Sequence, residues 1–370
     1  LSNASSLTIG IDARAAVEVP AGRGRVVREL LRALAAREDE HYRYVLYARS
    51  AWRELPLDER FTWHLIGARD PWWHALTARA ANRECDVFLS SNSYLTTLFT
   101  RIPAVPIVYD LVAFNPAMRP NRRSTIIERA TLGEAVRRSA ALIAISQATA
   151  DALTARHPRA ARRTTVALLG VAPEPVTELK PEEVAALPQS GFVLAVGTLE
   201  PRKNLPRLVD AYSRLPTELQ ARHPLVVVGA LGWDTGNTLL ALRSLGERCT
   251  MLGYVSDAAL AELYRRCAAF CYPSLGEGFG LPVLEAMAAG APVVTSNLSS
   301  LPEVGGSAAE YVDPYDVTSI ENGLRRVLED EARRAQLSRE GIERAARFSW
   351  ASFAQQVLEV LQAAASDTRS

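Results

Sequence analysis

Lysine is almost missing from this 370-residue chain, which has two, Lys180 and Lys203, against forty arginines. Against so strong a preference for guanidinium, a lone ammonium is a conspicuous residue. Cysteine is scarce as well. Cys85, Cys249, Cys267 and Cys271 make no C-x-x-C pair, and a chain this long needs no disulfide framework. Cys267 and Cys271 flank an apolar stretch and read as buried thiols. No apolar run approaches the roughly 18–20 residues needed to span a bilayer, and no signal peptide is visible, so the cytoplasm is the default expectation. The five histidines, at 41, 64, 74, 157 and 223, have no metal-ligand spacing. Repeats and low-complexity tracts are absent. Ser2-Asn3-Ala4 reads as a cloning remnant, outside the fold.

What is present is an ordinary globular composition, 48% apolar, which excludes long disorder. At roughly 100–200 residues per domain, two domains are expected. A formal charge of +1 argues against a protein that coats nucleic acid. That total hides an imbalance. Up to residue 175 there are 24 basic and 17 acidic residues, net +7; beyond it there are 18 and 24, net −6. Opposite charges on the two halves suit two domains facing across a cleft.

Apolar runs at Leu7–Ile11, Tyr44–Tyr47, Val87–Leu89, Val105–Val108 and Leu142–Ile145 predict strands in the first half. Between them lie helical stretches; Val26, Val27, Leu30, Leu31 and Leu34 share one face. The second half repeats the scheme. Phe192–Val196, Leu225–Val228, Ala269–Tyr272 and Pro292–Thr295 read as strands buried on both faces, with helices near Leu205–Arg214, Ala258–Arg266 and Pro282–Ala289. Regular alternation of strand and helix implies an α/β protein with parallel sheets, here two Rossmann-like domains over 5–175 and 190–348. Pro173–Gln189 has a linker composition. A last helix over 349–366 sets Trp350, Phe353, Val357 and Leu361 in one stripe and should pack back on the first domain.

Three segments place chemistry at strand ends. Gly276-Glu-Gly-Phe-Gly-Leu-Pro-Val-Leu-Glu-Ala-Met-Ala-Ala-Gly290 follows the strand Ala269–Tyr272, where open α/β sheets bind ligands. Gly278 and Gly280 allow close backbone approach, and Pro282 suits the first turn of a helix. A glycine loop running into a helix start favours a phosphate. Glu277 and Glu285 flank it, seven apart; carboxylates beside a phosphate make sense where the ligand also carries sugar hydroxyls. Gly197-Thr-Leu-Glu-Pro-Arg-Lys-Asn204 follows the strand Phe192–Val196 and supplies Arg202 and Lys203 as diphosphate cations. Gly22-Arg-Gly-Arg25 opens the helix from about Val26, though without a full G-x-G-x-x-G.

Together these stretches resemble glycosyltransferase family 4, retaining enzymes of the GT-B architecture. Leu252-Gly-Tyr-Val-Ser-Asp257, Val294-Thr-Ser296 and Leu301-Pro-Glu-Val304 extend the match over most of 190–315, and Val108-Tyr-Asp-Leu111 and Ala144-Ile-Ser146 add looser matches in the first half. The resemblance implies a hexose-type sugar moved from a nucleotide-sugar co-substrate to a hydroxyl of a glycan, lipid-linked glycan or small molecule. It places Glu277 on the transferred sugar, Glu285 on the ribose, and Arg202, Lys203, Gly22 and Gly24 about the diphosphate. The backbone of Gly278, Phe279, Gly280 and Leu281 adds hydrogen bonds, and Gly253, Tyr254 and Val255 lie beside the base. Where many relatives have His-Asp-Leu, this chain has Tyr109-Asp110-Leu111. Tyr109 can exchange hydrogen bonds but carries no positive charge at neutral pH, which leaves Asp110 as the candidate for a sugar or acceptor hydroxyl.

No D-x-D occurs, so a metal-clamped diphosphate is not expected, and no other cofactor is implied. Arg202, Lys203 and the helix start at Pro282 meet the leaving group's charge instead. Retention would follow a front-side attack in which the leaving phosphate helps deprotonate the acceptor. Arg119, Arg122, Arg123, Arg129, Arg137 and Arg138 crowd one helical region, against Glu128 and Glu134, and suggest peripheral contact with an anionic membrane. Two other classes stay open. A non-catalytic nucleotide-sugar binder would keep the donor motifs and lose the acceptor side. A Rossmann oxidoreductase would need a full glycine fingerprint and a later acid, and neither is present.

Overall fold

The computed structural model describes residues 6–367, apart from 53, 55–56, 116–117, 119–121, 172–178, 180–181 and 183–186 and the side chains of 122–124. These fall into two compact units. One holds the residues up to Phe114, those of 122–170 and those from Ser349 on. The other holds 171–348 with Asn115 and Met118. The proline-rich stretch read as a linker lies mostly outside the described residues.

Each unit is built on one parallel sheet, as the alternation of strand and helix implies. The first has seven strands: β1 (Leu7–Asp12), β2 (Tyr42–Ala48), β3 (Phe61–Leu65), β4 (Val87–Ser90), β5 (Ala104–Val108), β6 (Leu142–Ala144) and β7 (Thr164–Val166), in the order β3-β2-β1-β4-β5-β6-β7. The second has six: β8 (Val193–Val196), β9 (Leu225–Val228), β10 (Cys249–Gly253), β11 (Ala269–Tyr272), β12 (Val293–Ser296) and β13 (Glu310–Val312), in the order β10-β9-β8-β11-β12-β13. In both, the chain starts near the middle of its sheet and reverses direction, so β1 and β4, and β8 and β11, stand side by side with their carboxyl ends at a switch point.

Four of these strands, β3, β7, β10 and β13, were not among the apolar runs, and all four are sheet edges. An edge strand has one neighbour and a partly wetted surface. The two polar residues of Thr164–Val166 and the exposed Thr250 and Met251 of β10 show how little apolar signal that requires. Central β9 and β11 are buried at every position, and their continuous apolar runs matched the observed bounds.

The helix expected from about Val26 runs over Arg23–Ala35, with Val26, Val27, Leu30, Leu31 and Leu34 all buried. It starts earlier because Gly22, at φ 56° and ψ −117°, turns the chain sharply enough for Arg23 to enter the helix. The Trp350–Ser366 helix is capped by Ser349 and buries Trp350, Phe353, Val357 and Leu361 against the Arg23–Ala35 helix and strands β4 and β5. Its start closes on Gly170, where a Cβ would fall 2.1 Å from the Trp350 amide nitrogen.

Candidate functional site

The chemistry of the second unit gathers where β8 and β11 end. The loop after β8 leads through Pro201–Lys203, a single 3₁₀ turn, to Asn204, whose φ of 61° turns the chain into the helix Leu205–Ser213. Asn204 Nδ2 donates to the carbonyls of Pro273, at 3.0 Å, and Pro314, at 2.7 Å. The Leu275 amide donates to the Arg202 carbonyl at 2.8 Å. These bonds tie the Arg202-Lys203 loop to the loop after β11, so the cations and Glu277 meet although 74 residues separate Lys203 from Glu277.

Glu277 is held on both oxygens. Oε2 takes a hydrogen bond from Arg202 Nη1. Oε1 lies 2.7 Å from Lys203 Nζ, 2.8 Å from the Tyr272 hydroxyl and 2.7 Å from Ser274 Oγ. Lys203 Nζ also donates to the Tyr272 oxygen, and Arg202 Nε pairs with Glu200 Oε1 at 2.5 Å. Burial alone would raise the Glu277 carboxyl; Arg202 and Lys203 outweigh it and hold it at about 2. Burial and the Arg202 charge push Lys203 below the usual lysine range despite the opposing pull of Glu277 and Glu200. Burial, reinforced by Glu277, keeps the Tyr272 phenol far above its ordinary range, so it stays neutral.

Beyond Glu277 the chain is drawn into the helix Leu281–Ala288. Ser300 Oγ bonds the carbonyls of Glu277, at 3.0 Å, and Phe279, at 2.8 Å. Gly280 sits at φ 104°, where a Cβ would also strike Leu301, and Pro282 falls in the first turn, where its missing N–H costs nothing. The Phe279 ring is buried edge-on against Phe348, so only its backbone is left for a ligand. Glu285 lies one turn into this helix, 3.4 Å from the Tyr264 hydroxyl. At the end of β10, Gly253 has φ 69° and accepts a bond from the Gly229 amide. Tyr254 is exposed, and Val255 precedes Ser256, which caps the helix Asp257–Arg266.

The first unit places its candidates differently. Gly22 is exposed, with open space where a Cβ would stand. Gly24 is buried, and a Cβ there would lie 1.7 Å from the Val19 carbonyl oxygen. Glycine is required there by the close packing of two backbone segments. Tyr109 is buried as well, and its hydroxyl donates to the Ser91 carbonyl at 2.7 Å, with the Arg23 guanidinium 5.1 Å from the ring centre. Burial pushes the phenol far up, so it remains a donor. Tyr109→Phe is therefore expected to lower the free energy of unfolding by about 1–2 kcal/mol, read from the urea midpoint, because it strands a buried carbonyl. Asp110 accepts from the Val112 amide at 2.9 Å and faces Arg23.

Some participants had no role assigned from sequence. Glu200 lies within the Gly197–Asn204 segment, Tyr272 ends the β11 run, and Ser274 falls between that run and Gly276; the available signal was a polar residue at the end of a buried strand or within three residues of an acid. In the first unit, fully buried Asp12 pairs with Arg14 at 3.2 Å, and Arg14 reaches Asp70 at 3.1 Å and stacks on Trp73. Of the arginine-rich stretch, Arg119 and the side chains of Arg122 and Arg123 lie outside the described residues. Arg138 Nε bonds Glu134 at 2.6 Å, Arg137 Nε bonds it at 2.8 Å, and Arg129 donates to the Ala113 carbonyl. Among the described residues, no group of three His, Cys, Asp or Glu could hold a metal ion, and no helix is long and apolar enough to cross a membrane.

Residues 177–344, which carry the whole Arg202–Lys203–Glu277 cluster, match the family described as glycosyl transferases group 1. The chain is 45% identical over 163 residues to the O-antigen chain mannosyltransferase B of Escherichia coli, covering 43% of this chain and 42% of that protein. It is 41% identical over 172 residues to the serotype-specific mannosyltransferase WbdA of the same species, covering 45% of this chain and 21% of that protein. The chain thus spans less than half the length of these relatives. Each of the two units has the Rossmann-like parallel sheet of the GT-B class. Anabaena HepE, solved in complex with UDP and glucose, superposes with a TM-score of 0.74 at 18% identity, covering 96% of this chain and 99% of that one.

Proposed function

We propose that the chain transfers a hexose, mannose first among candidates, from a nucleoside-diphosphate sugar to a hydroxyl of a growing saccharide or lipid-linked acceptor. The observation that carries this reading is the convergence of Arg202, Lys203 and Glu277 at the paired ends of β8 and β11. Two cations and a carboxylate in one buried cluster suit a ligand with both a diphosphate and sugar hydroxyls. The names of the mannosyltransferase relatives support the choice of sugar.

In this reading Arg202 and Lys203 take the diphosphate, helped by the backbone of Gly278–Leu281 at the helix start. Glu277 takes a hydroxyl of the transferred sugar, Glu285 the ribose, and Gly253–Val255 the base. Asp110 is the acceptor-side candidate. As the anomeric bond breaks, negative charge grows on the leaving phosphate, where Arg202 and Lys203 already stand, so no metal is invoked. The leaving phosphate then removes the acceptor proton on the face it leaves, and the anomeric configuration is retained. Contact with an anionic membrane, through the arginine-rich helix and its exposed Ile126 and Ile127, belongs to the same proposal.

A thermal-shift screen of nucleotide sugars tests the donor. Binding at a hundred times Kd stabilises the native state by about 2.7 kcal/mol, so the largest shift names the base and sugar. Transfer of that sugar to a saccharide acceptor should survive EDTA, and Tyr109→Phe should transfer within about threefold of wild type. An inverted product refutes the retaining step. The absence of any shift refutes the donor reading.

A further inference from the structure

Glu277 bonds both cations of the cluster, and Arg202 pairs with Glu200 as well. Oε2 of Glu277 is bound by Arg202, and Oε1 by Lys203. A diphosphate competes for the same two side chains. When it takes them, Glu277 is left buried, with an anion beside it and its counter-charges turned away. A buried carboxylate in that position either moves, takes up a proton, or is held by neutral donors.

We propose that Tyr272 and Ser274 are positioning residues that keep Glu277 in place while Arg202 and Lys203 pass from it to the diphosphate. This inference rests on the donor reading above. Both hydroxyls already lie on Glu277 Oε1, at 2.8 and 2.7 Å. Both are neutral, so neither competes with Glu277 for a cation, and either can donate to a carboxylate whatever the state of the diphosphate. Tyr272 also accepts from Lys203 Nζ, so it touches both partners of the ion pair that must open. Its own placement is rigid. It ends β11, buried at every position, stacks on Phe270 at 5.7 Å, and is followed by Pro273, whose carbonyl is tied to Asn204. Ser274 is fully buried, and its Oγ also lies 3.0 Å from the Arg202 carbonyl, which keeps it over the same loop. The two hydroxyls thus fix Glu277 from the strand side, and the cations approach it from the neighbouring loop.

The test compares the full chain with Tyr272→Phe, Ser274→Ala and the double variant. Binding of GDP and UDP is measured by calorimetry, and kcat and KM are measured with the best nucleotide-sugar donor. For Tyr272→Phe, affinity for the preferred nucleoside diphosphate should stay within about threefold while kcat falls about tenfold or more. The alkaline limb of kcat/KM should also move to lower pH, because Lys203 loses an acceptor for its charged form. Ser274→Ala should lower kcat by about threefold at unchanged affinity, and the double variant should lose more than either single one. If Tyr272→Phe does not fold, Ser274→Ala carries the same comparison. Unchanged kcat in the folded variants overturns the proposal. So does an equal loss of kcat and of nucleoside-diphosphate affinity, which would make these hydroxyls part of diphosphate binding. If wild type binds neither GDP nor UDP and no nucleotide sugar in the screen shifts it, the donor reading itself fails, and the proposal with it.

Discussion

Glu277→Ala should lower sugar transfer by about two to three orders of magnitude, the usual loss on removing one preorganised electrostatic group from a water-poor site. It should also destabilise the protein. Arg202 keeps Glu200 at 2.5 Å, but Lys203 is left with the neutral Tyr272 oxygen and a nearby guanidinium. Leaving a buried charge without its partner costs about 3–5 kcal/mol, and the lower end is expected here because Arg202 retains a carboxylate. Glu277→Gln separates the two effects. The amide keeps the shape and can hydrogen-bond Tyr272 and Ser274, so stability should suffer less while transfer remains severely reduced. Binding of the free nucleoside diphosphate should tighten, since the phosphates no longer displace a carboxylate from the cations. Initial rates, urea midpoints and calorimetry on the two variants read these outcomes. Wild-type transfer by Glu277→Gln would remove Glu277 from the reaction.

Gly24→Ala is expected to cost about 3 kcal/mol or more in the first unit. The added Cβ would lie 1.7 Å from the Val19 carbonyl oxygen and 2.7 Å from that of Ala15. Both are backbone atoms, so no flexible side-chain end can move aside, and relief requires separating Arg14–Glu18 from Arg23–Ala35. Overpacking of a tight core usually costs about 1–3 kcal/mol, and a contact this short belongs at or above the top of that range. Gly22→Ala is the control. Nothing stands within 4 Å of its Cβ, and the cost is that of holding alanine at φ 56° and ψ −117°, a conformation that favours glycine, about 1–3 kcal/mol. Equal urea midpoints for the two variants would show that the Gly24 contact relaxes at little cost.

Strands buried on both faces were legible as unbroken apolar runs, and helices covering them as a 3.6-residue period. Edge strands were not, since one wet side removes the pattern. Among the site residues, Glu277, Arg202 and Lys203 stood out because charge and glycine crowd the ends of strands that are otherwise wholly apolar. The packing partners of Gly24 and Tyr109 were not legible, because a glycine near a helix start, or a hydroxyl at a strand end, serves packing as readily as a ligand; the Val19 and Ser91 carbonyls come into contact with them only in the fold.

Order and pattern along the chain were enough to predict two parallel α/β units and to set Lys203, one of only two lysines, among the strand-end motifs of the second. The pairing of Glu277 with both Arg202 and Lys203 is visible only in the fold, because those residues lie 75 and 74 positions away and the sheet order makes their strand ends neighbours. Tyr272 and Ser274 are only five and three residues from Glu277, but which way their hydroxyls face also depends on how the strand end and its loop pack.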